Sequence, residues 1–365
     1  MNPAIASRFP LVCRPRPLGL PLDKRIALLA EPEVAEGASH HEHVARASSV
    51  INLASLIASD VGLHDMAWDM CRRHYQFFAE AEHLDNPLTA VMATQPLVNI
   101  ARLMTRGGDG RQAYDVLVCL YEAAQRCSTA EVRGWRVNVA AIIRSREGHR
   151  KVTAELWAAL LTDGTHALSR CVPWAQVAAS AAKYRGVGQR LWDGRQATVL
   201  ALLERGLPTE ARTVVEDSQI IDAPEKAVAA VLGTFCDLEG SRDSDHINVA
   251  LGEALTLIEL DEPPTAVFRT RLALTALALA DAAGRTPKLH GRLRKAVLET
   301  ARTDAYAARA ACAAFGDQAQ KELRSVIINA GFGLAVMTPD LENKMLASVA
   351  AAEDRLHQLL GARGA

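Results

Sequence analysis

The stretch from residue 133 to residue 195 holds the side chains best suited to chemistry with a partner. It carries eleven cations, at Arg133, Arg136, Arg144, Arg146, Arg150, Lys151, Arg170, Lys183, Arg185, Arg190 and Arg195, against the four anions Glu147, Glu155, Asp163 and Asp193, a net charge of +7. Trp135, Trp157, Trp174, Tyr184 and Trp192 are interleaved with them. Guanidinium groups grip phosphates and flat rings stack on bases, so cations mixed with aromatics point to a phosphate-bearing partner. The following stretch, 204 to 262, has fourteen anions and four cations, net −10, although the whole chain nets only −1. Such polarity has two readings. Either the basic segment faces an anionic partner, or the acidic segment neutralises it within the fold or across a homodimer.

The sharpest local cluster is "LWDGRQ", residues 191–196. Asp193-Gly194 reads as a turn, or Asp193 caps the helix that follows. Arg195 and Gln196 then fall in the first helical turn, where a cation opposes the macrodipole unless an anion sits close. The ligand-binding set expected from the sequence is Arg133, Arg136, Arg144, Arg146, Arg150, Tyr184, Arg185, Arg190, Trp192, Asp193, Arg195 and Gln196.

Other chemistry finds less support. His40, His41 and His43 resemble a metal tract, but no third and fourth ligands are suitably spaced, so a solvated helix start capped by Ser39 is expected and no metal. "KYRGVGQ" (183–189) lacks the third glycine and preceding strand of a dinucleotide site and is no P-loop. Neither G-x-S-x-G nor H-E-x-x-H occurs. No cofactor is implied.

The elements that must position these groups read as helices. The chain has 365 residues, 49% hydrophobic but only 5% aromatic, so its core is built from Ala, Leu, Val and Ile. Residues 1–39 are rich in proline and arginine and lack an uninterrupted apolar run; they predict an extended or mobile segment, not a secretory signal. No stretch of about 18 apolar residues free of charge appears, so no membrane span and a cytoplasmic location are expected. The seven cysteines are scattered without a C-x-x-C pair, which suits reduced thiols, with Cys13 the most exposed.

From about residue 40, amphipathic runs alternate with glycine turns at 62, 107, 206 and 284, a spacing of one or two units of 40–50 residues. Thr286-Pro287 reads as a cap and first helical residue. "GDGRQAYDVLVCLYEAA" (108–124) and "GLPTEARTVVEDS" (206–218) resemble the second half of a tetratricopeptide repeat, though the W-x-x-L-G-x-x-Y signature is missing from most units. The resemblance covers roughly 40–300. It implies an all-α fold of stacked antiparallel helix pairs, a right-handed α-solenoid with a concave binding face. The expected organisation is 1–39, a helical-repeat domain at 40–337 with a soft boundary near 263, and a C-terminal capping helix at 338–365.

The function expected is a binding, scaffold or regulatory protein that presents 133–195 to an anionic macromolecule, RNA or tRNA or an acidic protein segment. The alternative is a tRNA-dependent aminoacyl transferase acting on a small acceptor, with Asp193 or His166 moving the proton.

Overall fold

The apolar runs fold as helices, and glycine stops several of them. The helix His40–Val61 opens on the expected cap. Glu42 N donates to Ser39 Oγ, and Ser39 N donates back to Glu42 Oε2 at 2.7 Å, which satisfies two otherwise orphaned amides. It stops at Gly62, whose φ of +105° is left-handed backbone that a Cβ disfavours. Gly206 and Gly284 share this conformation. At the remaining turn the left-handed residue is Gly108, because the helical backbone of Thr94–Arg106 carries on through Gly107. Four helix hairpins result: His40–Val61 with His64–Ala79, Thr94–Arg106 with Gly110–Arg126, Asp193–Glu204 with Pro208–Glu216, and Ala266–Ala282 with Lys288–Thr303. Thr286 and Pro287 lie outside the described residues.

The computed structural model describes residues 1–30, 37–81, 84, 86–240, 246–260, 262–285 and 288–361. Among these the protein is all-α apart from one antiparallel hairpin, Thr129–Val132 with Trp135–Asn138. Arg133 and Gly134 form its two-residue turn with φ of 50° and 77°, a turn whose twist matches the flanking strands. Strands of four residues are too short for an alternating pattern to stand out in the sequence.

The chain forms two compact units. One comprises Met1–Leu20 and Ser169–Ala330, the other Pro21–Leu168 and Gly331–Ala365. The expected single array from 40 to 337 is thus divided. Nor does the chain part at 263: Arg269, on Ala266–Ala282, donates to the carbonyls of Leu257, Ile258, Leu260 and Glu262, capping Ile247–Ile258 across that turn.

In the first unit the N-terminal segment belongs to the core. Ile5, Phe9 and Leu11 are buried, and Phe9 stacks on Phe235 at 6.3 Å. Gln196 holds it with its amide: Leu11 N donates to Oε1 and Nε2 donates to Leu11 O, both at 2.7 Å. The segment between Pro10 and Leu20 is extended, as its prolines require, but it is anchored.

Gly194 lies in the first turn of Asp193–Glu204, and its missing side chain is the reason the neighbouring loop fits. A Cβ there would stand 2.4 Å from the Gly186 carbonyl oxygen. Gly194→Ala is therefore expected to destabilise the protein by about 2 kcal/mol, although alanine gains up to about 1 kcal/mol in helix propensity. Urea midpoints measure it; a midpoint at or above wild type would show that the loop yields freely.

In the second unit, the C-terminal helix Pro339–Gly361 packs on His40–Val61, with Arg73 Nε on Glu353 Oε1 at 3.0 Å. By length and composition His40–Val61 passes for a membrane span, yet 61% of its apolar window is buried within the protein. Ser48, Ser55, Ser59 and Asp60 are among its buried residues.

His74, on His64–Ala79, is fully buried, and neither ring nitrogen has a hydrogen-bond partner among the described residues. Burial holds its pKa down at about 3 from 6.5. The folded chain keeps the imidazole neutral while the unfolded chain takes up a proton below pH 6.5, so stability falls as pH falls from 6.5 toward 3. At pH 4.5 this costs on the order of 3 kcal/mol. Urea unfolding at pH 7 and pH 4.5 is expected to show that loss in wild type and not in His74→Leu. An equal acid loss in the variant would clear His74.

Candidate functional site

The cationic residues of 133–195 fall into two sets, one in each unit. From residue 183 onward, Arg190 is matched by carboxylates within the fold and Arg195 is held by neutral acceptors. Arg190 donates from Nε to Glu225 at 2.7 Å and from Nη2 to Asp222 at 3.1 Å, with its guanidinium 4.5 Å from the Trp192 ring centre. Asp193 is buried and takes a bidentate pair from Arg14, so it neither caps its own helix nor pairs with Arg195. Arg195 donates to Ser218 Oγ at 2.7 Å and to the carbonyls of Gly188 and Val214, capping Pro208–Glu216. Those carbonyls and the hydroxyl offset its unfavourable place in a helical first turn. Gln196 is consumed by the Leu11 clasp. Tyr184 is half-buried beneath Lys183, and Arg185 is exposed with φ of 57°. The basic-to-acidic change at this point of the sequence is partly local neutralisation, with Arg190 answered by Asp222 and Glu225.

In the second unit the picture differs. Arg133 lies over Trp68, 5.2 Å from the ring centre, and Arg136 is exposed opposite Glu131 on the hairpin. The hairpin is fastened to His64–Ala79 by Tyr75, whose hydroxyl donates to Asn138 O at 2.8 Å and whose ring meets Trp135 edge-on. Arg144 donates to Ala81 O at 3.2 Å. Arg146 and Arg150 open onto a groove of about 1070 Å³ between the helices Gly110–Arg126 and Arg146–Ala159.

This groove follows from helical spacing. Arg146, Arg150, Ala154 and Trp157 recur at steps of four and three, so they form one stripe on one wall. Tyr121 and Gln125, four apart, face them from the other helix, and Gln125 Nε2 donates to the Tyr121 hydroxyl at 2.9 Å. Ser145 caps the basic helix by accepting from Gly148 N at 3.0 Å. His149 Nε2 donates to Ala124 O at 2.9 Å, one of the last carbonyls of the facing helix, and so joins the two walls.

Electrostatically the groove has unspent positive charge. Among the described residues that line it, Glu147 is the acidic one and pairs with Lys151 at 2.9 Å; that hydrogen bond and charge, with Arg150 adding less, lower its pKa. Arg146 and Arg150 are exposed, and among the described residues no carboxylate lies within ion-pair distance of either. Trp157 is 36% exposed. Thr153 Oγ1, in the same wall, is buried without a hydrogen-bond partner among the described residues. Two guanidinium groups one helical turn apart, an indole and a phenol can hold phosphates and flat rings together.

Sequence reasoning named Arg146 and Arg150 but missed Tyr121, Thr153 and His149, and did not include Trp157 in its ligand set. The i, i+4 pairing of Tyr121 with Gln125 was visible in the sequence, but which helix would face it was not. Cys13 is half-buried, whereas Cys119, Cys127 and Cys171 are exposed. The histidines near residue 40 join no group of three or more metal-type ligands among the described residues.

Comparison with protein-family models, with curated proteins and with solved structures gives no match. The class that fold and site define is therefore a coarse one: an all-α protein of helix hairpins with a basic, aromatic groove.

Proposed function

We propose that this protein is a binding protein whose groove between Gly110–Arg126 and Arg146–Ala159 takes a segment of single-stranded RNA. The observation that carries the reading is the exposed pair Arg146 and Arg150, free of carboxylate partners among the described residues and in line with Trp157. Phosphates pair with the two guanidinium groups while a base stacks on the indole, a combination that tolerates any sequence. The helix hairpins, in this reading, are degenerate units of the tetratricopeptide type, stacked in the right-handed sense that such units adopt. Hairpins that turn at left-handed glycines support it. A cytoplasmic setting belongs to the same reading, since three exposed thiols suit a reducing compartment.

A labelled single-stranded oligouridine titrated with the full chain tests the proposal by fluorescence anisotropy. Binding is expected to weaken with salt at a logarithmic slope of about −1.4, the value for two phosphates neutralised on a single strand. Indole fluorescence is expected to drop on saturation. No binding at low salt sinks the reading, and tighter binding of an acidic peptide would replace RNA by a protein partner.

A further inference from the structure

Two segments of the first unit lie side by side where the sequence changes charge sign. Gln219 N donates to Gln189 O at 2.9 Å, and Arg190 and Gln219 form a parallel bridge. Arg195 clamps the same pair, since its guanidinium donates to Gly188 O on one segment at 3.1 Å and to Ser218 Oγ on the other at 2.7 Å. Arg190 adds a third tie. It covers the ring of Trp192 and donates to Asp222 and Glu225, while Glu225 Oε2 accepts from Ile221 N at 2.8 Å. Residues 183–192 and 216–222 thus make one joined surface.

That surface is apolar at its centre. Val187 and Trp192 on one segment and Ile220 and Ile221 on the other are exposed, Trp192 by 49% and Ile221 by 60%. All four lie within three residues of the bridged pair. Large apolar side chains gathered in water favour a second surface laid over them, and a central tryptophan supplies a large share of the energy of such a contact.

The flanking charges say what the second surface is. Segment 183–192 has no acidic residue, and its exposed charges are Lys183 and Arg185; segment 216–222 has no basic residue, and its exposed charges are Glu216, Asp217 and Asp222. Asp222 is spent on Arg190, and Glu216 on Arg212. Arg185 and Asp217 remain: among the described residues neither has an opposite charge within ion-pair distance. A face that is positive along one edge, apolar in the middle and negative along the other is complementary to itself. A twofold axis running between the two segments lays the positive edge of one copy on the negative edge of the other, and the apolar strip on its own image. A partner of one charge sign would meet repulsion along one of the two edges.

We propose that 183–192 and 216–222 form the isologous interface of a homodimer, with Trp192 and Ile221 at its centre and Arg185 of each copy set against Asp217 of the other. The interface lies in the first unit and does not rest on the RNA reading, whose groove lies in the second.

Sedimentation velocity of the full chain from about 1 to about 100 µM, the range in which a modest contact dissociates, is expected to show monomer passing into dimer. Ile221→Asp places a carboxylate in the apolar centre and is expected to weaken the dimer at least about tenfold. Arg185→Asp and Asp217→Arg each set like charges face to face and are expected to weaken it about tenfold at low salt. Folding is expected to survive both, because the positions are exposed, aspartate tolerates the φ of 57° at position 185, and a cation suits the helix end at position 217. The double variant Arg185→Asp/Asp217→Arg exchanges the two edges and is expected to dimerise within about threefold of wild type, a recovery that damage to folding would not give. Arg146→Gln/Arg150→Gln, altered only in the groove, is expected to dimerise as wild type does, so that failure of the RNA reading leaves this one standing. A chain monomeric throughout the range, a dimer indifferent to Ile221→Asp, or a double variant no better than its single parents overturns the proposal.

Discussion

Replacing Arg146 and Arg150 together by glutamine is expected to weaken oligouridine binding about a hundredfold. Removing one charge-assisted hydrogen bond to a phosphate costs about 1.5 kcal/mol or more, and two removals amount to about two decades. The salt slope is expected to flatten from about −1.4 toward zero, because no counterions are then released. Glutamine keeps helix propensity, and the helix stays anchored by the Ser145 cap and by His149 on Ala124 O. Trp157→Ala separates stacking from charge. It should cost about 1–3 kcal/mol of binding and leave the salt slope as it was. Anisotropy titrations at several salt concentrations read both quantities. An unchanged slope in the double arginine variant would show that the phosphates sit elsewhere, whatever the affinity.

The second large effect concerns stability. Asp60→Ala is expected to cost about 3–5 kcal/mol, because it removes the carboxylate that Arg25 meets in the core. Arg25 and Asp60 are 1% and 8% exposed, and their side chains meet at 2.6 Å. Arg106 approaches the same carboxylate at 3.8 Å, and the Arg25 guanidinium lies 5.9 Å from the Phe332 ring centre. Asp60 is the penultimate residue of His40–Val61, where the helix dipole disfavours a negative charge, so the arginines are what make it tenable. Around it the chain returns: Gly333 N donates to Asp60 O and Ala335 N to Val61 O, both at 2.8 Å, satisfying carbonyls that the helix end leaves open. At about 2–4 °C per kcal/mol for a domain of 150–250 residues, the expected fall in midpoint is about 6–20 °C. Arg25→Met should cost a similar amount, and Arg25→Met/Asp60→Leu much less than the two single substitutions combined. Additive effects in that cycle would mean that the pair is not coupled.

What could be read in advance and what could not divide by range. The cap at Ser39, the glycine turns at 62, 206 and 284, and the helical nature of the chain were legible because each rests on a few neighbouring residues. The clustering of cations in 133–195 was legible too, since composition needs no fold. The hairpin at 129–138 was not, because four residues per strand give no period to detect. Half of the site reading also depended on meetings that no local pattern encodes. Asp193 and Gln196 looked like ligand-facing residues of a first helical turn. The fold brought Arg14 and Leu11 to them across 179 and 185 residues and used both up.

By itself, then, the sequence determined that this protein is helical, where several helices begin and end, and where its positive charge is concentrated. Tertiary structure alone decided that Arg190 is neutralised by Asp222 and Glu225 while Arg146 and Arg150 are left open beside Trp157. It alone divided the chain at residues 20, 168 and 330, and it alone joined Arg8 to Arg271 across 263 residues. The physical reason is that helical periodicity states which face of an element is apolar, whereas the partner of a charged side chain is set by the path of the backbone between them.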